Sequence, residues 1–96
     1  MYHVYILASR RNGTLYVGCT SDLIKRIQQH KQGKIKGFTE KYKVNMLVHY
    51  EMIYDINNAA SRERNLKSWK RMWKIRLIEE KNSEWKDLYE EIIGAE

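Results

Sequence analysis

Apolar and polar positions along this chain follow two periods, and the change from one to the other marks its elements. Tyr2 to Ala8 (YHVYILA) is a strand-length run of β-branched, aromatic and aliphatic residues, which predicts a buried strand. Arg10-Arg11-Asn12-Gly13 follows, and Asn-Gly between two such runs is a strong hairpin signal. Leu15 to Cys19 (LYVGC) is then the returning strand. Thr20-Ser21-Asp22 offers capping oxygens ahead of Leu23, Ile24 and Ile27, whose spacing is helical. That helix is predicted to run through His30 and stop near Gly33. Residues 33–43 (GKIKGFTEKYK) read as an exposed basic loop, and Val44 to Tyr54 as a third strand. Asn57 or Asn58 is expected to cap a further helix carrying Leu66, Trp69, Trp73 and Leu77 along one buried stripe. Asn82-Ser83 breaks that run, and Glu84 to Ile93 predicts a last short helix. The order ββαβα(α)α has too few strands for a doubly wound sheet, and the hairpin makes at least part of the sheet antiparallel. The expected architecture is a small α/β sandwich around three strands, with residues 1–96 as one domain.

Composition supports a folded, water-soluble chain. It has 96 residues, 43% hydrophobic and 31% charged, enough to bury one core. No apolar run is long enough to span a bilayer, and no basic-then-apolar leader pattern opens the chain. Cys19, the one cysteine, cannot form an internal disulfide, so a cytoplasmic setting is expected. Charge changes the picture more. Residues 1–50 carry nine Lys/Arg against Asp22 and Glu40, net +7; residues 51–96 carry nine against ten acids, net −1, giving the chain's +6. A basic half suits a polyanion, because neutralising phosphates releases counterions. A solvated, inert basic surface is the plainer explanation of the same numbers.

Six residues form a chemically coherent set: Tyr5, Tyr16, Gly18, Arg26, His30 and Glu63. Tyr5 and Tyr16 fall on the paired strands. Arg26 and His30 are four apart and project from one helix face. Glu63 lies early in the later helix, within Ala60-Ser61-Arg62-Glu63-Arg64-Asn65. A carboxylate holds Mg²⁺, which keeps most of its waters and needs few protein ligands. A guanidinium matches a phosphate, and phenol or imidazole groups take or orient a proton of attacking water. Each residue also has an ordinary explanation: Tyr5 and Tyr16 as strand aromatics, Arg26 paired with Asp22, and His30 and Glu63 interacting with helix dipoles.

The ordered set resembles the GIY-YIG nucleases. His3-Val4-Tyr5 and Tyr16-Val17-Gly18 resemble the two halves of the signature, the Arg26-xxx-His30 helix follows, and Glu63 sits in A-x-R-E-x-x-L-K. The resemblance covers nearly the whole chain and is nearest the short stand-alone members once grouped with the nuclease domain of the excision-repair subunit UvrC. It implies a three-stranded antiparallel sheet flanked by helices and a metal-dependent endonuclease acting on DNA, a chemistry suited to repair or recombination. By resemblance, Tyr16 contacts the attacking water as base or relay, and Tyr5 helps hold that water or the phosphate. Gly18 permits close approach, Arg26 stabilises phosphate charge, His30 assists proton transfer, and Glu63 holds one Mg²⁺ (or Mn²⁺). Two departures stand out. His3-Val4 replaces the first Gly-Ile, and Cys19 occupies the position where some members carry a Lys that tunes the catalytic Tyr. Asn82 and Asn65 are both candidates for the family's downstream Asn.

Around this set, Phe38 and Tyr42 are interleaved with Lys34, Lys36, Lys41 and Lys43, a pattern that suits single strands or distorted duplex. Arg26 and Lys67 are further candidates for phosphate contact, while Lys67, Lys70, Arg71 and Lys74 read equally as a phosphate track or a solvated face. A zinc site from Cys19 with His3, His30 and His49 matches no standard spacing. The alternatives to an endonuclease are a binding module of the same fold without turnover and a protein-interaction domain. With no recognisable targeting motif, sequence preference is expected to be weak, and a protein partner would supply targeting.

Overall fold

The computed structural model describes residues 1–94. Strand β1 (Tyr2–Ala8) is central, with β2 (Leu15–Thr20) and β3 (Met46–Ile53) antiparallel on either side, in the order β2-β1-β3. The Arg10–Gly13 turn closes the hairpin: Gly13 N–H donates to the Arg10 carbonyl at 2.8 Å, and Asn12 adopts φ 56°. This sets Tyr5 opposite Gly18 and Leu7 opposite Tyr16. Between β1 and β3 the register shifts after Ile6, which pairs with His49 while Leu7 pairs with Leu47, so Val48 is the extra residue of a bulge.

Alternation along β1 divides the core in two. Val4, Ile6 and Ala8 face a cluster with Ala59, Leu66, Ile78 and Trp85; Tyr5 and Leu7 face another with Leu23, Ile27, Val44 and Leu47. Helix α1 (Leu23–Lys31) covers the second face, and Asp22 Oδ1 caps it by accepting from Lys25 N–H at 3.1 Å. Gly33 (φ 68°) follows its end. The expected loop over 33–43 contains one helical turn, α2 (Phe38–Lys41), secured because Thr39 is buried against His30.

The later helical region departs from expectation. Helix α3 (Ile56–Ser68) is capped by Asp55, whose Oδ2 accepts from Asn58 N–H at 2.9 Å, and not by Asn57 or Asn58. Trp69 and Lys70 are both extended (ψ 147° and 146°), and a separate helix α4 (Arg71–Lys81) begins after them. The bend lets Leu66 and Ile78 enter the same core; twelve residues apart, they would lie about 120° apart on one straight helix. The predicted buried stripe is therefore split: Leu66 is buried, Trp69 and Leu77 are half-buried, and Trp73 is 50% exposed. Nor is 84–93 one helix. Trp85 is buried at φ 57°, incompatible with a helix interior, and only Tyr89–Ile93 (α5) is helical. Among the described residues, no helix is long and apolar enough to cross a membrane.

Candidate active site

The site forms along the outer edge of β2. Gly18 is the reason Tyr5 reaches it: a Cβ at residue 18 would lie 2.5 Å from both Cζ and the hydroxyl of Tyr5. Without one, the Tyr5 ring lies across β2 and is only 2% exposed. Its hydroxyl is 3.1 Å from His30 Nε2, and His30 Nδ1 is 3.0 Å from Thr39 Oγ1. Tyr16 completes the aromatic group, with its ring centroid 6.5 Å from Tyr5 and 5.8 Å from His30. Thr39 was not singled out from the sequence; a hydroxyl nine residues beyond a helix C-terminal His gives no local signal.

Electrostatics sort these groups. Burial, then the neighbouring Tyr16, pushes the Tyr5 phenol well above its ordinary value, against the pull of Arg26, so Tyr5 stays protonated at neutral pH. Burial, then the Arg26 charge, pushes His30 down to about 4, so its imidazole is neutral. A neutral His30 is no cationic partner for the helix dipole. The network is satisfied if Tyr5 donates to Nε2 and Nδ1–H donates to Thr39.

Arg26 is half-buried, and its charge is felt at both Tyr5 and His30. Asp22 spends its carboxylate on the helix cap, and no carboxylate among the described residues pairs with Arg26. Arg26 instead lines a polar groove of about 350 Å³ with Thr20, Asp22, Lys25 and Gln29. Glu63 comes from the opposite face of the sheet. It lies in the middle of α3 rather than its first turn, on a helix that packs against β2, and its charge is among the influences that raise the phenol of Tyr5 and the thiol of Cys19. The carboxylate is 26% exposed and paired at 3.2 Å with the exposed Lys67.

That donor chemistry fits one hard divalent cation. Glu63 is a partly exposed carboxylate whose ion-pair partner is the exposed Lys67, and Mg²⁺ is satisfied by one carboxylate plus waters. A zinc site does not fit. Among the described residues there is no group of three or more His, Cys, Asp or Glu side chains, and His49 is committed to Glu51 at 2.7 Å.

The α2 segment adjoins this cluster directly. Phe38 stacks on Tyr16 (6.4 Å, 27°) and meets Tyr42 at 4.9 Å, forming a three-ring ladder in which Phe38 and Tyr42 are 46% and 49% exposed. Lys34, Lys36, Lys41 and Lys43 are exposed around it; Lys36 pairs with Glu40, and Lys41 lies over the Tyr42 ring. Neither asparagine candidate joins the site through a visible contact. Asn82 is buried at the opposite edge of the sheet, donating to the carbonyls of Val48 and Lys86 and accepting from Lys86 N–H. Asn65 is exposed on α3.

Two phenols, an imidazole and a guanidinium thus gather beside one edge strand of a small antiparallel α/β fold, and the charge of a carboxylate on α3 is felt among them. The chain belongs to the GIY-YIG catalytic domain family, which it matches over residues 1–76, and so to a superfamily of nucleases. It is similar to a UPF0213 protein of Staphylococcus haemolyticus, 34% identical over 80 residues (83% of this chain, 96% of that one). A UPF0213 protein of Autographa californica nuclear polyhedrosis virus is 43% identical over 81 residues (81% of this chain, 76% of that one). The solution NMR structure of a UPF0213 protein from Bacillus halodurans superposes with TM-score 0.56 at 27% identity, covering 94% of this chain and 96% of the other.

Proposed function

We propose that the protein is a divalent-metal-dependent endonuclease that hydrolyses phosphodiester bonds in DNA. The observation that carries this reading is the gathering of Tyr5, Tyr16 and His30 at the β2 edge, with the Arg26 and Glu63 charges both felt at Tyr5. Glu63 would hold the metal, Mg²⁺ or Mn²⁺, which when bound supplies Lewis-acid stabilisation of phosphate charge and a lower water pKa. Arg26, free of a carboxylate partner, binds and neutralises the scissile phosphate. Tyr16, on the edge strand, orients the attacking water. Tyr5 is a donor rather than a base, because its proton is held tightly. His30 works through Tyr5: its nitrogens contact Tyr5 and Thr39, so it positions the phenol as a hydrogen-bond donor.

The ladder of Tyr16, Phe38 and Tyr42 offers ring faces to bases, and the surrounding lysines meet phosphates. Such contacts carry little base-edge readout, so the intrinsic sequence preference is weak and targeting falls to a partner protein. Repair or recombination in the cytoplasm is the setting this chemistry suits. A second reading, a DNA-binding module without turnover, is favoured by one observation: Cys19 stands where some members carry a Lys, and a thiol brings no positive charge to tune Tyr16. Incubating purified protein with labelled single-stranded, duplex, nicked and branched DNA in Mg²⁺, Mn²⁺ or EDTA separates the two. Cleavage that EDTA abolishes is expected; binding without cleavage in either metal favours the module.

A further inference from the structure

The basic character of the molecule is not confined to α2. The β1–β2 turn presents Arg10 and Arg11, both exposed, on a backbone held from within. Beside the Gly13-to-Arg10 hydrogen bond, Thr14 N–H donates to Ser9 Oγ at 3.0 Å, and a Cβ at Gly13 would lie 2.3 Å from that same oxygen. Arg71, the first residue of α4, reaches across and donates Nη2 to the carbonyls of Asn12 and Gly13, each at 2.7 Å. This double contact docks the α3–α4 bend against the turn. Lys70, exposed at the bend, and Lys74, one helical turn further, therefore extend the cationic surface begun by Arg10 and Arg11.

No carboxylate among the described residues pairs with any of these five cations; the ion pairs lie at Lys31–Asp87, Lys36–Glu40, Arg62–Glu51 and Lys67–Glu63. Burial, then the Arg71 charge, pushes the Lys74 ammonium below its ordinary value, as expected where like charges gather without a counter-ion. Fixed cations left uncompensated raise the local potential and attract a polyanion.

We propose that Arg10, Arg11, Lys70 and Lys74, braced by Arg71, form a second nucleic-acid surface, one that takes the phosphate backbone of duplex DNA. It deepens the nuclease reading and rests on it. Duplex hides its base faces and is held by positioned cations on phosphates, whereas unpaired bases call for rings. The ridge supplies cations on a backbone braced by Arg71; the α2 ladder supplies mutually packed, exposed rings. Helix α4 packs on the Val4–Ile6 face of the sheet with its first residue docked at the β1–β2 turn, and α2 lies against Tyr16 on the other face, so the two surfaces lie on opposite faces of the sheet. A duplex seated on the ridge would lead its unpaired end past Tyr16 to Phe38.

The test is anisotropy binding in EDTA, where metal-dependent cleavage is silent, with a short blunt duplex and an oligothymidylate as probes over a salt series. In R10Q/R11Q/K70Q the log–log salt slope for duplex should fall by roughly 2 to 3 units, at about 0.9 per lost phosphate contact. Oligothymidylate affinity should stay within about twofold of wild type, which also shows that the variant is folded, and R10K/R11K/K70R should regain the duplex slope. An unchanged duplex slope in a protein that still cleaves DNA overturns this inference alone. Parallel loss of both probes overturns the separation of the two surfaces. Wild-type protein that binds neither probe overturns the inference together with the nuclease reading.

Discussion

The hydrogen at Gly18, where any other residue carries a side chain, lets the Tyr5 ring lie across β2 and meet His30. Tyr5 is buried and cannot swing away from an added methyl. Gly18→Ala should therefore lower stability by about 1–3 kcal/mol through overpacking, and reduce cleavage more than DNA affinity. Chemical denaturation and kcat measured on one preparation check both; full activity in the variant would mean the Tyr5 position is not needed. His30 makes a second prediction at this scale. Its folded pKa, about 4, lies below the unfolded value of 6.5, so the unfolded chain binds the proton more readily. The stability it contributes is complete above pH 6.5 and is lost as pH falls from 6.5 towards 4, by up to roughly 3 kcal/mol. Denaturation at stepped pH should show that slope in wild type and a shallower one in His30→Gln. Equal slopes would show that His30 is not held neutral.

At the scale of elements, Glu63 depends on how α3 is rotated. Arg62 donates Nε and Nη2 to the Glu51 carboxylate on β3, at 2.7 and 2.9 Å, while its guanidinium lies 5.1 Å from the Trp69 ring centre. That fork fixes the helix about its axis and aims the next residue at β2. Burial works against the Glu51 charge, but hydrogen bonds from His49 and Arg62 outweigh it and hold the carboxyl down at about 2. Its contribution is present above pH 4.5 and lost as pH falls towards 2, below the His30 window. Glu51→Gln should cost about 1–3 kcal/mol at neutral pH and lower cleavage although residue 51 touches no substrate. An unfolding curve beside a cleavage assay tests this; reduced stability with wild-type cleavage would free Glu63 from the fork. The same elements show what was legible in the sequence. Both hairpin strands and α1 announced themselves through period, Asn-Gly and the Thr20-Ser21-Asp22 capping run, all local signals, and of that run it is Asp22 that caps. The α3–α4 bend did not, because no Gly or Pro marks Trp69-Lys70 and the break answers to where Leu66 and Ile78 must go in three dimensions. Trp85 likewise leaves the helical pattern for burial and a hydrogen bond from Nε1 to Glu79 at 2.7 Å. For the site, types and spacings nominated Tyr5, Tyr16, Gly18, Arg26, His30 and Glu63. Thr39, and the stacking of Phe38 on Tyr16, depend on a chain reversal that no local pattern encodes.

For the molecule as a whole, the edge of β2 is where the two core-covering layers meet. One face brings Tyr5, Tyr16, Arg26, His30 and the α2 ladder; the other brings Glu63 and the ridge of Arg10, Arg11 and Lys70. The proposed activity needs both, and Glu63 is the single side chain on which the metal requirement falls. The decisive measurement is Mg²⁺-dependent cleavage of labelled DNA by wild type and Glu63→Gln side by side, with affinity measured on the same samples. The substitution keeps the shape of the side chain and removes the charge that holds a hard cation. The account predicts cleavage by wild type that EDTA abolishes, a loss of at least about a hundredfold in Glu63→Gln, and DNA affinity within a few-fold of wild type. Cleavage by Glu63→Gln at the wild-type rate would contradict it.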